Sequence, residues 1–273
     1  MDRIRFEKAF ESARLKVYRA DRHRHEAEQW FSIFINSDFC RVVDDREGKG
    51  QSLSLEIEPV PIEITLAIGD AFHCLSSALD HAMSGLMEAK TGNSTRISFP
   101  TNVSRGALRQ SFMSPGVDKC GRAKKAPPTR RIVKALPLLA LDILSVIKPY
   151  QGSGSFLWEI RKADNIDKHN LIIPTLHITE IKGFRASQKV GRGRYNATIT
   201  GDFTGQKVPM CEWTNVAPDF FEIDEEGQVT GKIAFADTME VFAGEAVFPT
   251  LLNCVHSVTE TLDRVEAVAS RYL

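Results

Sequence analysis

The chain has 273 residues, 42 % of them apolar and 26 % charged, with 35 Lys and Arg balanced by 35 Asp and Glu. It is long enough to bury a sizeable core and has the composition of a soluble globular protein. Five cysteines at 40, 74, 120, 211 and 254 form no C-x-x-C pair, so neither a zinc ribbon nor a disulfide framework is signalled, and a reducing, cytoplasmic setting is the plain reading. MDRIRFEKAF at the start has no apolar core for a signal peptide, and the longest apolar run, 136–147, is too short for a bilayer and carries Asp142, so no membrane association is expected.

The zero net charge hides segregation. Residues 91–131 hold nine cations against Asp118 alone, 181–200 hold five cations and no acid, and 208–250 hold nine acids and one Lys. Such patterning bears on partners rather than on fold.

In chain order, the first predicted helix runs over about 3–36. Phe6, Phe10, Ala13, Val17, Ala20, Ala27, Phe31 and Phe34 recur at steps of three and four, interrupted by Arg24 and widened by Trp30 and Ile33. Residues 52–58 alternate as a strand with Leu53, Leu55 and Ile57 on one side. A second helix follows Pro61 and stops at Gly92. Residues 91–129 show no clear element, a loop long enough to be functional or mobile. A third helix covers about 130–147, with Thr129 as cap and Pro137 as a kink or fresh start, and a fourth covers about 155–169, capped by Ser155. The period then changes to two, with glycine turns, before a last helix over about 246–271. The expected fold is α+β: a mainly helical bundle of about five helices with an antiparallel β-sheet inserted before the C-terminal helix. It reads as a single domain, 1–273, with a helical core of 1–170 plus 246–273 and a β-rich insertion at 171–245.

The second helix carries a polar stripe, Asp70, His73, Ser77, Asp80 with His81, Ser84 and Glu88, without the Lys and Arg of an ordinary solvated face. That suits a face covered by another element through hydrogen bonds. The fourth helix, LWEIRKADNIDKHN, is the obvious partner. Asp164 and Lys168 stand in the favourable order for an intrahelical pair, Arg161 is also in reach of Asp164, and His169 lies in the last turn. Capping and pairing account for Asp164, Lys168 and Asn170, but do not require Asp167 and His169.

These segments carry a resemblance. GDAFHCLSSALDHAM, then ISFP, KPYQG and LWEIRKADNIDKHNLIIP, resemble a family of uncharacterised bacterial proteins whose members show a GDxxHNLRSALDHL-like helix and an LDNIDKHR-like helix in this order. The likeness spans nearly the whole chain and implies a helical core with a β appendage. The first of these helices is in turn similar to the signature of HEPN domains, helical proteins, often dimeric, of toxin and anti-phage systems. Their active members cleave RNA without metal through an Arg followed by four to six residues and a His. The match covers His81, while Ser76 stands where the arginine falls. Arg161 or Lys168 then has to supply the cation that holds the phosphate.

The best expectation is therefore a HEPN-like, nucleic-acid-associated protein, an RNase of defence or toxin type or a degenerate relative. The candidate catalytic residues are His81, His169, Asp80, Asp167, Arg161 and Lys168. RNA or another phosphate-bearing ligand would be met through the basic loops 91–131 and 181–200, in which cations alternate with Gly, Phe184 and Tyr195. A homodimer is compatible with the resemblance. Two alternatives stand beside it. One is a non-enzymatic binding or scaffold module in which the polar stripe is a structural seam. The other is a metal-dependent hydrolase with Asp70, His73 and Asp164 as candidate ligands. No organic cofactor is expected, since no Walker A or dinucleotide fingerprint occurs.

Overall fold

The computed structural model describes residues 1–45, 50–93, 96–113, 128–188, 194–214, 221–225 and 227–273. The middle of the basic stretch 91–131 and residues 189–193 of the basic stretch 181–200 lie outside the described residues. The architecture is α+β, and the chain divides into two compact units.

The first unit comprises Met1–Glu26, Leu66–Ile172 and Phe248–Leu273. It takes in most of α1 (Arg3–Ile35) and α2 (Ile62–Thr91), then α3 (Arg105–Met113), α4 (Pro128–Ala135), α5 (Pro137–Asp142), a π-helical turn (Ile143–Ile147), α6 (Leu157–Asp167) and α7 (Val247–Ala269). The helical stripes bury as their spacing predicts. Phe10, Ala13 and Ala20 of α1, Ile68, Phe72, Leu75, Leu79 and Leu86 of α2, and Leu251, Val258 and Leu262 of α7 are all buried. Arg24 is buried within the α1 stripe and is neutralised by Asp21 at 2.8 Å. Ile33 stays exposed and widens nothing. At Gly85 a Cβ would overlap the Ala9 side chain, so α1 and α2 approach at a spacing only glycine allows. Gly92, at φ +74°, ends α2 in the left-handed region.

Several local expectations are corrected. The stretch 91–129 is not without structure: Ser104 caps α3 by accepting the Ala107 N–H at 3.1 Å. At Pro137, which lacks an N–H, the stretch 130–147 makes the fresh start that was one of the two outcomes expected there, and α5 begins. Thr129 does not cap; its hydroxyl donates to the Ser111 carbonyl at 2.5 Å and ties α4 to α3. Ser155 does not cap either. Its hydroxyl donates to the Lys148 carbonyl at 3.2 Å, and α6 begins after Phe156, which takes φ +54° with no side-chain cap.

α2 is also long and apolar enough to cross a membrane by length and composition, with mean hydropathy 1.3 over its best window. The apolar-run argument overlooked it because single polar residues break every run. A buried core helix passes the same test, and 67 % of that window is buried.

The second unit comprises Ala27–Thr65 and Ile173–Val247. It therefore takes in 27–65, which the sequence reading assigns to the helical core, as well as most of the expected β-rich insertion. It holds two antiparallel sheets rather than one. β1 (Cys40–Asp45), unforeseen, pairs with β2 (Gly50–Ile57), which pairs in turn with β5 (Lys207–Thr214). The β1–β2 register sets Arg41 opposite Glu56, and the two side chains pair at 2.7 Å. In the second sheet β3 (Pro174–Gln188) pairs along one edge with β4 (Arg194–Phe203) and along the other with β7 (Gln228–Phe235) and then β6 (Phe221–Glu225). Leu53, Leu55, Ile178, Ile181, Ile233 and Phe235 are buried on these strands.

Candidate functional site

Within the helical unit the polar stripe of α2 meets α6, as the sequence requires of any shared site. The centre is a guanidinium clamp. Arg161 donates through Nη1 to Asp80 Oδ2 at 2.9 Å and through Nη2 to Asp80 Oδ1 at 2.5 Å, a two-pronged match that a planar fork makes to a carboxylate. The same Nη1 donates to the Ser76 hydroxyl at 2.9 Å, and Ser76 is buried. Asp80 Oδ1 also accepts the backbone N–H of Phe99 at 2.8 Å. One turn further along α2, Ser84 Oγ accepts the Ile97 N–H at 3.1 Å and donates to the Ile97 carbonyl at 3.0 Å. The segment ISFP thus lies along α2, with its backbone groups satisfied by side chains.

A second cluster lies toward the start of α2. Asp164, 2 % exposed, takes the place on α6 that an apolar residue would fill, and both its oxygens are used. His73 Nδ1 is 3.0 Å from Oδ1, and Lys168 Nζ donates to Oδ2 at 2.8 Å. His73 is half-exposed, so the imidazole is anchored at one nitrogen by a buried carboxylate. One turn along α6, Asp167 lies against Gly69: a Cβ there would come within 2.5 Å of its Cγ. The Asp167 Oδ1 is buried and accepts no hydrogen bond among the described residues. Burial pushes this carboxyl above the usual carboxylate range, and the nearby charges of Asp70 and Asp164 add to the rise. The Ile172 N–H and His73 act the other way.

Not all candidates converge. Asp80, Arg161, His73, Asp164, Lys168 and Asp167 come together along the α2–α6 line, with exposed Asp70 beside Asp167. His81 does not. It turns toward α1, where its Nδ1 pairs with the Ser12 hydroxyl at 2.7 Å. His169 is exposed beyond the end of α6, and its imidazole makes no hydrogen bond or ion pair among the described residues. The physical reason is angular: adjacent helical residues point about 100° apart, so Asp80 and His81 cannot face one neighbour. The pairing of Arg161 with Asp164 that the three-residue spacing allows is replaced by Asp80.

As a metal centre, Asp70, His73 and Asp164 do not converge. The oxygens of Asp164 are taken by imidazole and ammonium, and among the described residues no group of three or more His, Cys, Asp or Glu is placed to hold an ion. Cys74 is buried, and burial raises its thiol, which leaves it inert. Sequence reasoning missed Ser76, Gly69 and the backbone of 97–99. The resemblance reads Ser76 only as the place of a missing arginine, although a small hydroxyl in a helix interior is itself a sign of a close polar neighbour.

Fold and site together define an α+β protein whose central helix is clamped to a second helix by a carboxylate–guanidinium pair. No family model matches the chain, and no curated protein and no solved structure matches it.

Proposed function

We propose that this is a HEPN-like, nucleic-acid-associated module that holds RNA without cleaving it. In this reading the five long helical segments form one bundle and the α2–α6 line is its structural seam. The observation that carries it is the Arg161 guanidinium. It lies against Ser76, the position of the absent motif arginine, yet Asp80 takes both of its prongs, and His81 is engaged elsewhere. A cation so neutralised is a poor phosphate ligand, and a histidine on another face cannot share a proton-transfer site with it. The cationic stretches 91–131, with Asp118 as the lone acid, and 181–200, with none, supply the attraction for RNA.

The test is incubation of the protein with end-labelled single-stranded RNA in EDTA-containing buffer. The expected result is bound, intact RNA, the same for wild type, His81→Ala and His169→Ala. Cleavage that disappears in His81→Ala overturns the non-cleaving reading, and absence of any RNA binding overturns the reading as a whole.

A second, catalytic reading is favoured by one specific contact. A buried carboxylate, Asp164, orients a half-exposed imidazole, His73, whose Nε2 has no partner among the described residues. That is the arrangement of a general base held in one tautomer. Metal-independent cleavage lost in His73→Ala and retained in His81→Ala would establish it.

A further inference from the structure

Several cations of the helical unit are held in ion pairs and others are not. Arg14 is held by Asp263 and Glu266, Arg161 by Asp80, Lys168 by Asp164, and Arg264 by Asp142. By contrast, Arg131 and Lys134 on α4 make no ion pair or side-chain hydrogen bond among the described residues, and both are exposed. They line a cleft of about 640 Å³ between α4 and the end of α2. Lys90 is the third cation at its edge, its Nζ 5.1 Å from the centroid of the Tyr272 ring. Among the described residues no acidic one lines the cleft, and Met87 and Ala135 give it an apolar component.

The charge also continues beyond the cleft. α3 and α4 carry Arg105, Arg109 and Arg130 in addition to Arg131 and Lys134, all exposed, and neither helix contains an acid. The Thr129–Ser111 hydrogen bond holds the two helices to each other. Unpaired cations cost electrostatic energy through mutual repulsion, which an anionic ligand relieves. A single small anion would meet only the cleft; a charge row running past it fits a chain of phosphates. The Tyr272 ring beside Lys90 at the edge of the cleft is the aromatic face against which an unpaired base stacks, which a duplex does not present.

We infer that the cleft between α4 and the C-terminal end of α2, flanked by Lys90, Arg131 and Lys134, is the binding surface for single-stranded RNA, with the phosphate chain continuing along α3. The inference rests on the nucleic-acid reading above and deepens it by giving the ligand a place away from the α2–α6 clamp.

The experiment is fluorescence anisotropy with a labelled twelve-residue oligouridylate over a range of salt concentrations. It compares wild type, Arg131→Ala/Lys134→Ala, and a control of equal charge change, Lys8→Ala/Arg22→Ala on α1. Removing two phosphate contacts should weaken binding at low salt by roughly tenfold or more and make the slope of log K against log salt shallower by about 1.4, at roughly 0.7 per contact. The control should bind as wild type does. Equal affinity and slope in wild type and the cleft variant overturn this location while the nucleic-acid reading stands; no binding by wild type overturns both. A duplex of the same length bound as tightly as the single strand overturns the role of an unpaired base. Vesicles containing phosphatidylglycerol form the last arm. If the cleft variant loses vesicle binding and keeps RNA binding, the surface is a lipid site and the proposal fails.

Discussion

Replacing Asp80 by alanine tests the clamp most directly. The carboxylate accepts three hydrogen bonds, two from Arg161 and one from the Phe99 N–H. Its removal leaves the Arg161 side chain, 19 % exposed, with Ser76 alone, and leaves the Phe99 N–H without an acceptor beside a buried ring. An orphaned buried N–H costs about 1–3 kcal/mol. Breaking a fully buried ion pair from one side costs about 3–5 kcal/mol, which partial exposure here reduces to roughly 1–2 kcal/mol. The sum, roughly 2–5 kcal/mol, corresponds to a drop in Tm of about 4–20 °C for a chain of this size. Thermal and urea unfolding followed by far-ultraviolet circular dichroism measures it. Asp80→Asn keeps an acceptor for Phe99 and should lose less. Arg161→Ala together with Asp80→Ala should cost less than the sum of the single changes, because no charge is then left unpaired, with a coupling of about 1 kcal/mol or more. A Tm for Asp80→Ala within a degree of wild type, or strict additivity in the double variant, would refute the claim that this contact holds α2 to α6.

Gly69→Ala should destabilise by about 1–3 kcal/mol, since its methyl runs into the Asp167 carboxyl, and Gly69→Ala/Asp167→Ala should recover most of the loss in the same unfolding assay. Asp167 also gives stability a pH signature. Its folded pKa lies above the ordinary value of about 3.9, so the folded state binds the extra proton in the window between them. Its contribution therefore falls as pH rises from about 4 through the folded pKa; Asp167→Asn should gain in Tm relative to wild type across that window, and a constant difference would contradict it. Lys168→Met should leave the buried Asp164 held by His73 alone and lower Tm in the same unfolding assay, and an unchanged Tm would count against a shared carboxylate.

The helices were legible because their stripes are long: α1, α2 and α7 bury the residues that recur at three and four. α3 was not, because Gly106 and two arginines dilute a nine-residue segment, although Ser104 followed by a helical run is a start signal. β1 escaped for a related reason. CRVVDD alternates poorly, and only its pairing with SLSLEI makes it a strand. The meeting of α2 and α6 was readable from two facing polar stripes, but the choice of partner was not. Spacing alone offers Arg161 its neighbour Asp164, and only the angle between the helices turns it to Asp80. His81 shows the limit of motif reasoning, because a neighbour in sequence is not a neighbour on a helix face.

The lateral contact of ISFP with α2 has a metrical consequence. Four helical residues, Asp80 to Ser84, advance about 6.0 Å along the axis. Two residues of extended chain, Ile97 to Phe99, advance about 6.6 Å. The two rulers agree within the slack of a side chain, and they run in opposite senses, with 80 against 99 and 84 against 97. α2 therefore acts as a surrogate neighbouring strand, offering acceptors at the interval a β-ladder would. Such commensurability tolerates exchange of side chains that keep an acceptor, but not a change of count: one residue added or removed between 80 and 84, or between 97 and 99, puts both contacts out of step at once.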